Sequence, residues 1–383
     1  MVFVLGIQAQ QALWQGPEIV SPEIHPDNTV TFRLFAPNAA LVELSGDFIT
    51  DEMLNNSDPG NRNIKMEKGN DGLWTYTTPS PLTPELYSYS MIVDGLRIND
   101  PSNVYLNRDI ATLSNYFIIS GDYADLYKVR NVPHGSVIKQ WYDSPTLGKK
   151  RRVSIYTPPG YEKGDSEYPV LYLLHGMGGD EEAWLSLGRA DRIMDNLIAE
   201  GRAEPMIVVM TNGNVDQTAA PGESDLGLYT PTTRLPHTMD GSFETTFPDI
   251  VNFVEENYRV KKEKGSRAIA GLSMGGFHSM QISKEYPELF DYVGLFSAAV
   301  DRGDKSIPIY NNVEEKLAVQ FANAPRLYWI GIGKDDFLFD ENVVYKKLLD
   351  SKGYPYEYVE TPDGHIWKNW RIYLSEFVPR LFK

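Results

Sequence analysis

The chain has 383 residues, 42% apolar and 23% charged, a globular mixture long enough for two domains. Its net charge of −16 opposes nucleic-acid binding, which needs a basic surface, and leaves neutral glycans open as partners. The absence of cysteine removes disulfides, thiolate nucleophiles and cysteine zinc sites, and no run of about 18 apolar residues offers a membrane span.

Residues 1–20 begin with an apolar run, Val2 to Ile7, followed by the small Ala9. This reads as the remnant of an export signal cleaved near Ala9, although no Lys or Arg precedes it, and implies a periplasmic or extracellular protein. Residues 21–122 read as short strands separated by Asn, Asp, Gly and Pro. Residues 29–35 alternate with period two, and 41–45, 73–77, 87–93 and 116–119 follow in the same style. A small antiparallel β-sandwich is expected. Its Trp74, Tyr87 and Tyr89 fall on strand positions that fill such a core, and this reading is preferred to a sugar-stacking platform.

Residues 123–135 read as a linker or packed connector, and the pattern then changes. A hairpin is expected from 137–141 and 152–156. Apolar strands follow at 169–174, 206–210, 268–270, 292–296 and 327–332, and a last strand at 356–360. Amphipathic helices over 191–200, 246–258, 276–286, 341–351 and 367–381 alternate with them. Apolar runs between such helices predict a three-layer α/β domain over 136–383, with a mostly parallel sheet covered on both faces. The segment 213–243 has no period. Loops this long in compact domains usually carry function.

Gly271-Leu-Ser-Met-Gly275 fits a nucleophile elbow between strand and helix, with Ser273 exposed on a tight turn and the helix N-terminus adding positive potential. His175-Gly-Met-Gly-Gly179 ends an earlier strand, so the backbone amides of Met177 and Met274 are the candidate oxyanion donors. Gly333-Lys-Asp-Asp336 follows a strand and supplies a triad acid, Asp336 in preference to Asp335. His365, in Pro362-Asp-Gly-His365, is the candidate general base. The order Ser273, Asp336, His365 is that of α/β hydrolases. His237 in the long loop is a candidate substrate contact. His175 and His278 read as packed or solvated. Asp180-Glu-Glu182 reads as a charged helix start. No metal-binding spacing and no phosphate or dinucleotide loop appears, so no cofactor is expected.

These motifs together resemble carbohydrate esterase family 1, which includes feruloyl and acetyl-xylan esterases and is similar to enterochelin esterases. Phe32-Arg-Leu-Phe-Ala-Pro37, Gly72-Leu-Trp74 and Asn99-Asp-Pro-Ser-Asn103 resemble the early-set, immunoglobulin-like modules of carbohydrate-binding module family 48. The resemblance implies an α/β-hydrolase esterase preceded by an all-β module. It also implies an acyl-enzyme route through Ser273, and hydroxycinnamoyl esters on arabinoxylan or xylo-oligosaccharides as substrate. Trp184 joins the expected walls of an aromatic acyl slot. Acetyl-xylan esterase, siderophore esterase and non-catalytic glycan binding are the competing readings.

Overall fold

Alternating strands bury the aromatics of the first unit. The computed structural model describes residues 18–54, 62–228 and 230–383. The candidate export signal lies outside the described residues as far as position 17. The chain divides into two units, one reaching Asn107 and including Leu113–Ile119, the other formed by Arg108–Thr112 and Ser120–Lys383. In the first, Glu23–Ile24, Val30–Phe35, Leu73–Thr77 and Glu67–Lys68 make one antiparallel sheet. Val42–Gly46 and Glu85–Val93 are central to the other. Phe32, Phe48, Tyr89 and Phe117 pack ring against ring in its core. Trp74, Tyr87 and Tyr89 are buried, and the Trp74 indole N–H donates to the Ala36 carbonyl at 2.9 Å. Their rings therefore fill the core.

The second unit is built on eight strands: β1 (Ser136–Ser144), β2 (Lys149–Thr157), β3 (Val170–Leu174), β4 (Ile207–Thr211), β5 (Arg267–Leu272), β6 (Tyr292–Phe296), β7 (Leu327–Gly333) and β8 (Glu357–Thr361). They lie in the order β1-β2-β4-β3-β5-β6-β7-β8, antiparallel as far as β4 and parallel from there on. Every residue of β3 to β7 is buried, which is why these strands read as unbroken apolar runs. The edge strand β1 alternates between half-buried and exposed over most of its length.

Among the described residues seven helices accompany the sheet: α1 (Ala183–Ser186), α2 (Ala190–Ala199), α3 (Ser242–Asn257), α4 (Met274–Glu285), α5 (Val313–Ala322), α6 (Phe339–Lys352) and α7 (Trp367–Phe377). The sequence reading placed a helix start at 180–182, where the one-turn α1 follows, and missed α5. It also ran the last helix to 381, whereas Pro379 sits in a separate turn, Val378–Arg380. Residues 123–135 belong to the second unit. There Ala124, Leu126 and Tyr127 are buried, and the Asn196 amide donates to the carbonyls of Leu126 and Lys128 at 2.9 Å each. The long segment has two halves: 212–220 is mostly buried, whereas 222–228 and 230–238 are mostly exposed.

Candidate active site

The parallel strands β5, β7 and β8 all end on one edge of the sheet, where open α/β sheets place ligands. β5 passes into α4 through a single residue, Ser273, with φ 54° and ψ −115°. Such a backbone is strained for a non-glycine residue and persists only when its surroundings over-determine it. Here the Ser273 N–H donates to Phe296 O at 2.8 Å, and its carbonyl accepts from Phe277 and Ala299 at 3.0 and 3.2 Å. The flanking glycines are required by contact. A Cβ on Gly271 would lie 2.4 Å from Gly275 O, and one on Gly275 would lie 2.5 Å from the carbonyl oxygens of Leu174 and His175. The elbow thus packs backbone on backbone, lifting the Ser273 hydroxyl toward open space.

The turn after β7 places Asp336, and the turn after β8 places His365. The His365 Nδ1 lies 2.9 and 3.0 Å from the two carboxylate oxygens of Asp336. The Asp336 side chain is fully buried and also accepts the Leu338 N–H at 2.9 Å. Asp335 is exposed, and its backbone N–H donates to Asp363 O at 3.1 Å. Of the two acids, Asp336 is the one that faces the imidazole. The His365 ring is flanked by Phe337 and Trp370, with centroids 4.6 and 4.9 Å away. With Nδ1–H donated to the carboxylate, Nε2 is left free to accept a proton.

Ser273 and His365 line one cavity of about 630 Å³ together with Met177 and Met274. Neither the Met177 nor the Met274 amide donates a hydrogen bond among the described residues, and Met274 opens α4, so both are free donors beside Ser273. Two substrate candidates fall elsewhere. Trp184 is 1% exposed, and its indole N–H donates to Leu174 O at 2.9 Å, so it is core and absent from the wall. Trp367, packed edge-on against it at 5.4 Å, lines the cavity instead. His237 faces solvent and pairs with Asp240 at 2.6 Å, an interaction that raises its pKa. From the same loop, Met239 reaches the wall.

The Esterase family model matches residues 144–381, and the carbohydrate-binding module 48 model, described by the isoamylase N-terminal domain, matches residues 19–106. The chain belongs to the Esterase family. One relative of this esterase, an endo-1,4-beta-xylanase/feruloyl esterase of Xylanibacter ruminicola, is 30% identical over 94% of the chain and 46% of its own length. The chain spans 32% and 59% of the next two curated relatives. A ferulic acid esterase of Anaeromyces mucronatus is 25% identical over 67% of this chain and 93% of its own, with TM-score 0.55. The enterobactin esterase of Shigella flexneri is 17% identical over 92% of this chain and 93% of its own, with TM-score 0.62, a likeness of fold alone.

Sequence reasoning missed a polar network behind the turn 175–179 of this esterase. Arg152, on the inner strand β2, donates to Glu181 at 2.8 Å, to Glu182 at 2.6 Å and to Glu223 at 3.0 Å. Glu181 is fully buried and also accepts from Asn212 at 3.0 Å and from the Ala220 N–H at 2.8 Å. Asn214 donates to Gly179 O at 2.8 Å. Asp180 is paired with Arg108 at 2.5 Å and accepts the Glu182 N–H at 3.0 Å. So 180–182, expected as a charged helix start, does lead into α1, and it also ties the turn 175–179 to the buried half of the long segment. His175 adds a second tie: its Nε2 accepts the Gly213 N–H at 2.8 Å, and Nδ1 donates to Gly176 O at 2.7 Å. Burial holds its pKa down at about 4, so it is neutral. The signal available was an Arg pair on an inner strand, where buried guanidinium groups need carboxylate or carbonyl partners.

Proposed function

We propose that this chain is a serine carboxylic ester hydrolase that removes hydroxycinnamoyl groups from arabinoxylan. The observation that carries the reading is one cavity holding the strained Ser273, the Asp336-oriented His365 and two free amides. Ser273 Oγ attacks the ester carbonyl while its proton passes to His365 Nε2. The oxyanion is held by the amides of Met177 and Met274. Collapse breaks the bond to the sugar oxygen, which takes the proton from His365. A water then gives a proton to His365 and attacks the acyl-enzyme; collapse breaks the bond to Ser273 Oγ, which takes that proton back from His365, and the acid is released.

An aromatic acyl group is supported by the walls, which include Trp367, Trp370, Phe337, Met177 and Met239. The feruloyl esterase activity in the names of relatives supports the same choice. A polymeric cell-wall substrate would place the protein outside the cytoplasm. The test is a panel of methyl hydroxycinnamates, acetylated xylan and a catecholate siderophore ester, assayed with wild type and Ser273→Ala. Methyl ferulate should be the preferred substrate, with turnover about 10⁶-fold lower in the variant. Preference for acetyl or siderophore esters would overturn the substrate, and undiminished turnover in the variant would overturn the mechanism.

A further inference from the structure

A second cavity, of about 730 Å³, opens beside the catalytic one. The turn 299–303 divides them. Ala299 and Arg302 line the catalytic side, while Val300, Asp301 and Gly303 line the other. This turn is tied to the elbow, since Ala299 N–H donates to Ser273 O at 3.2 Å. The dividing wall carries an ion pair at 2.5 Å between Arg302, on the catalytic side, and Glu341, on the other.

The chemistry of the two cavities differs. The catalytic one is aromatic and apolar, whereas the second presents the amides of Gln281, Asn311 and Asn312 beside carboxylates. Gln281, on α4, is 4% exposed and lines this cavity. One carboxylate oxygen of Glu341, Oε2, is buried without a partner. A buried acceptor without a partner is destabilising, and a ligand hydroxyl entering the cavity would offset this by donating to it.

The charges select the ligand. Asp301 is paired with Lys305 at 3.2 Å and Glu314 with Lys352 at 2.7 Å, so these lining carboxylates are acceptors balanced by cations, and Glu315 adds a further carboxylate beside them. Among the described residues no three acidic or imidazole groups converge to hold a metal ion. An anion would meet carboxylates. A neutral, hydroxyl-rich molecule satisfies both the amides and the carboxylates, and Val344 offers a C–H surface. We propose that the second cavity is a subsite for an unesterified sugar unit of the glycan that carries the ester. This rests on the proposed reading of the catalytic site.

The test uses the full chain. Unesterified xylotetraose is titrated into wild type and into the double variant Asn311→Ala/Glu315→Gln by calorimetry. Hydrolysis of a feruloylated xylo-oligosaccharide is measured alongside methyl ferulate. Xylotetraose should bind wild type, and the double variant should raise KM for the oligosaccharide ester roughly tenfold, the loss of one or two net hydrogen bonds. Its kcat and KM on methyl ferulate should stay unchanged. Gln281→Leu, which keeps the volume, should act in the same direction. No xylotetraose binding, or equal losses on both substrates, would overturn the subsite. If wild type hydrolyses no hydroxycinnamoyl ester, the catalytic reading fails, and the titration still reports on the sugar subsite.

Discussion

The tie made by His175 gives the turn 175–179 a pH limit that can be worked out. The imidazole is buried, accepts the Gly213 amide at Nε2 and donates from Nδ1 to Gly176 O, so a second proton has nowhere to go without breaking the Gly213 bond. Burial depresses its pKa from 6.5 to about 4. The unfolded chain therefore takes up a proton between these values that the folded chain refuses. The stability contribution is complete above the unfolded value and is lost as pH falls toward the folded one. Between pH 7.5 and 4.5 the loss from this one group is about 2.5 kcal/mol. The assay is urea unfolding of wild type and His175→Gln at intervals across that range. The variant should be less stable than wild type by about 1–2 kcal/mol at pH 7.5, through weakened hydrogen bonds. It should close that gap, or reverse it, by pH 4.5, because glutamine does not titrate. Curves that stay parallel across the range would refute the argument, since the remaining titrating groups are common to both proteins.

Asp336→Asn should lower kcat by about 10⁴ through loss of the imidazole's orientation, while Asp335→Asn should leave steady-state kinetics within about twofold. Gly271→Ala forces a Cβ to within 2.4 Å of a backbone oxygen and should cost about 3 kcal/mol in chemical denaturation, with activity falling as the elbow opens. Lys284 is 2% exposed with no partner for its Nζ, and burial pushes its pKa from 10.5 down to about 7. Its ammonium penalty applies below the unfolded value, so wild type gains stability as pH rises from 7 toward 10. Lys284→Met should be about 2–4 kcal/mol more stable than wild type at pH 7, with the difference shrinking by pH 10 in the same unfolding assay.

The elbow was legible because its requirements are local. Gly271 and Gly275 are dictated by contacts within a few residues and by β3 alongside, and the motif between strand and helix states them directly. The choice between Asp335 and Asp336 was only a preference, because adjacent residues diverge and the turn after β7 decides which one faces β8. Trp184 was misplaced for another reason. The helix that carries it is one turn long, with no period to read, and its indole is claimed by a main-chain oxygen of β3. Trp367 sits two residues beyond His365, with Trp370 three positions later on the same helical face, a spacing that would have signalled a wall.

The polar network explains why the long segment after β4 divides as it does. Its first half is pinned by Glu181, Arg151 and Arg152. Arg151 donates to the carbonyls of Asn212 and Asn214 at 2.6 and 2.9 Å, while the Asn214 amide holds Gly179. Those buried charges leave few substitutions open, because removing one partner strands the other. Beyond Glu223 the ties thin out, and Leu226 and Leu228 face solvent. Residues past Glu223 are therefore freer to change than the pinned half, Thr233 excepted, since it lies beside Gly178 of the turn 175–179. On the proposed reading of the site, acyl and sugar preference would evolve in the free half of the segment, and turnover would be protected in the pinned half.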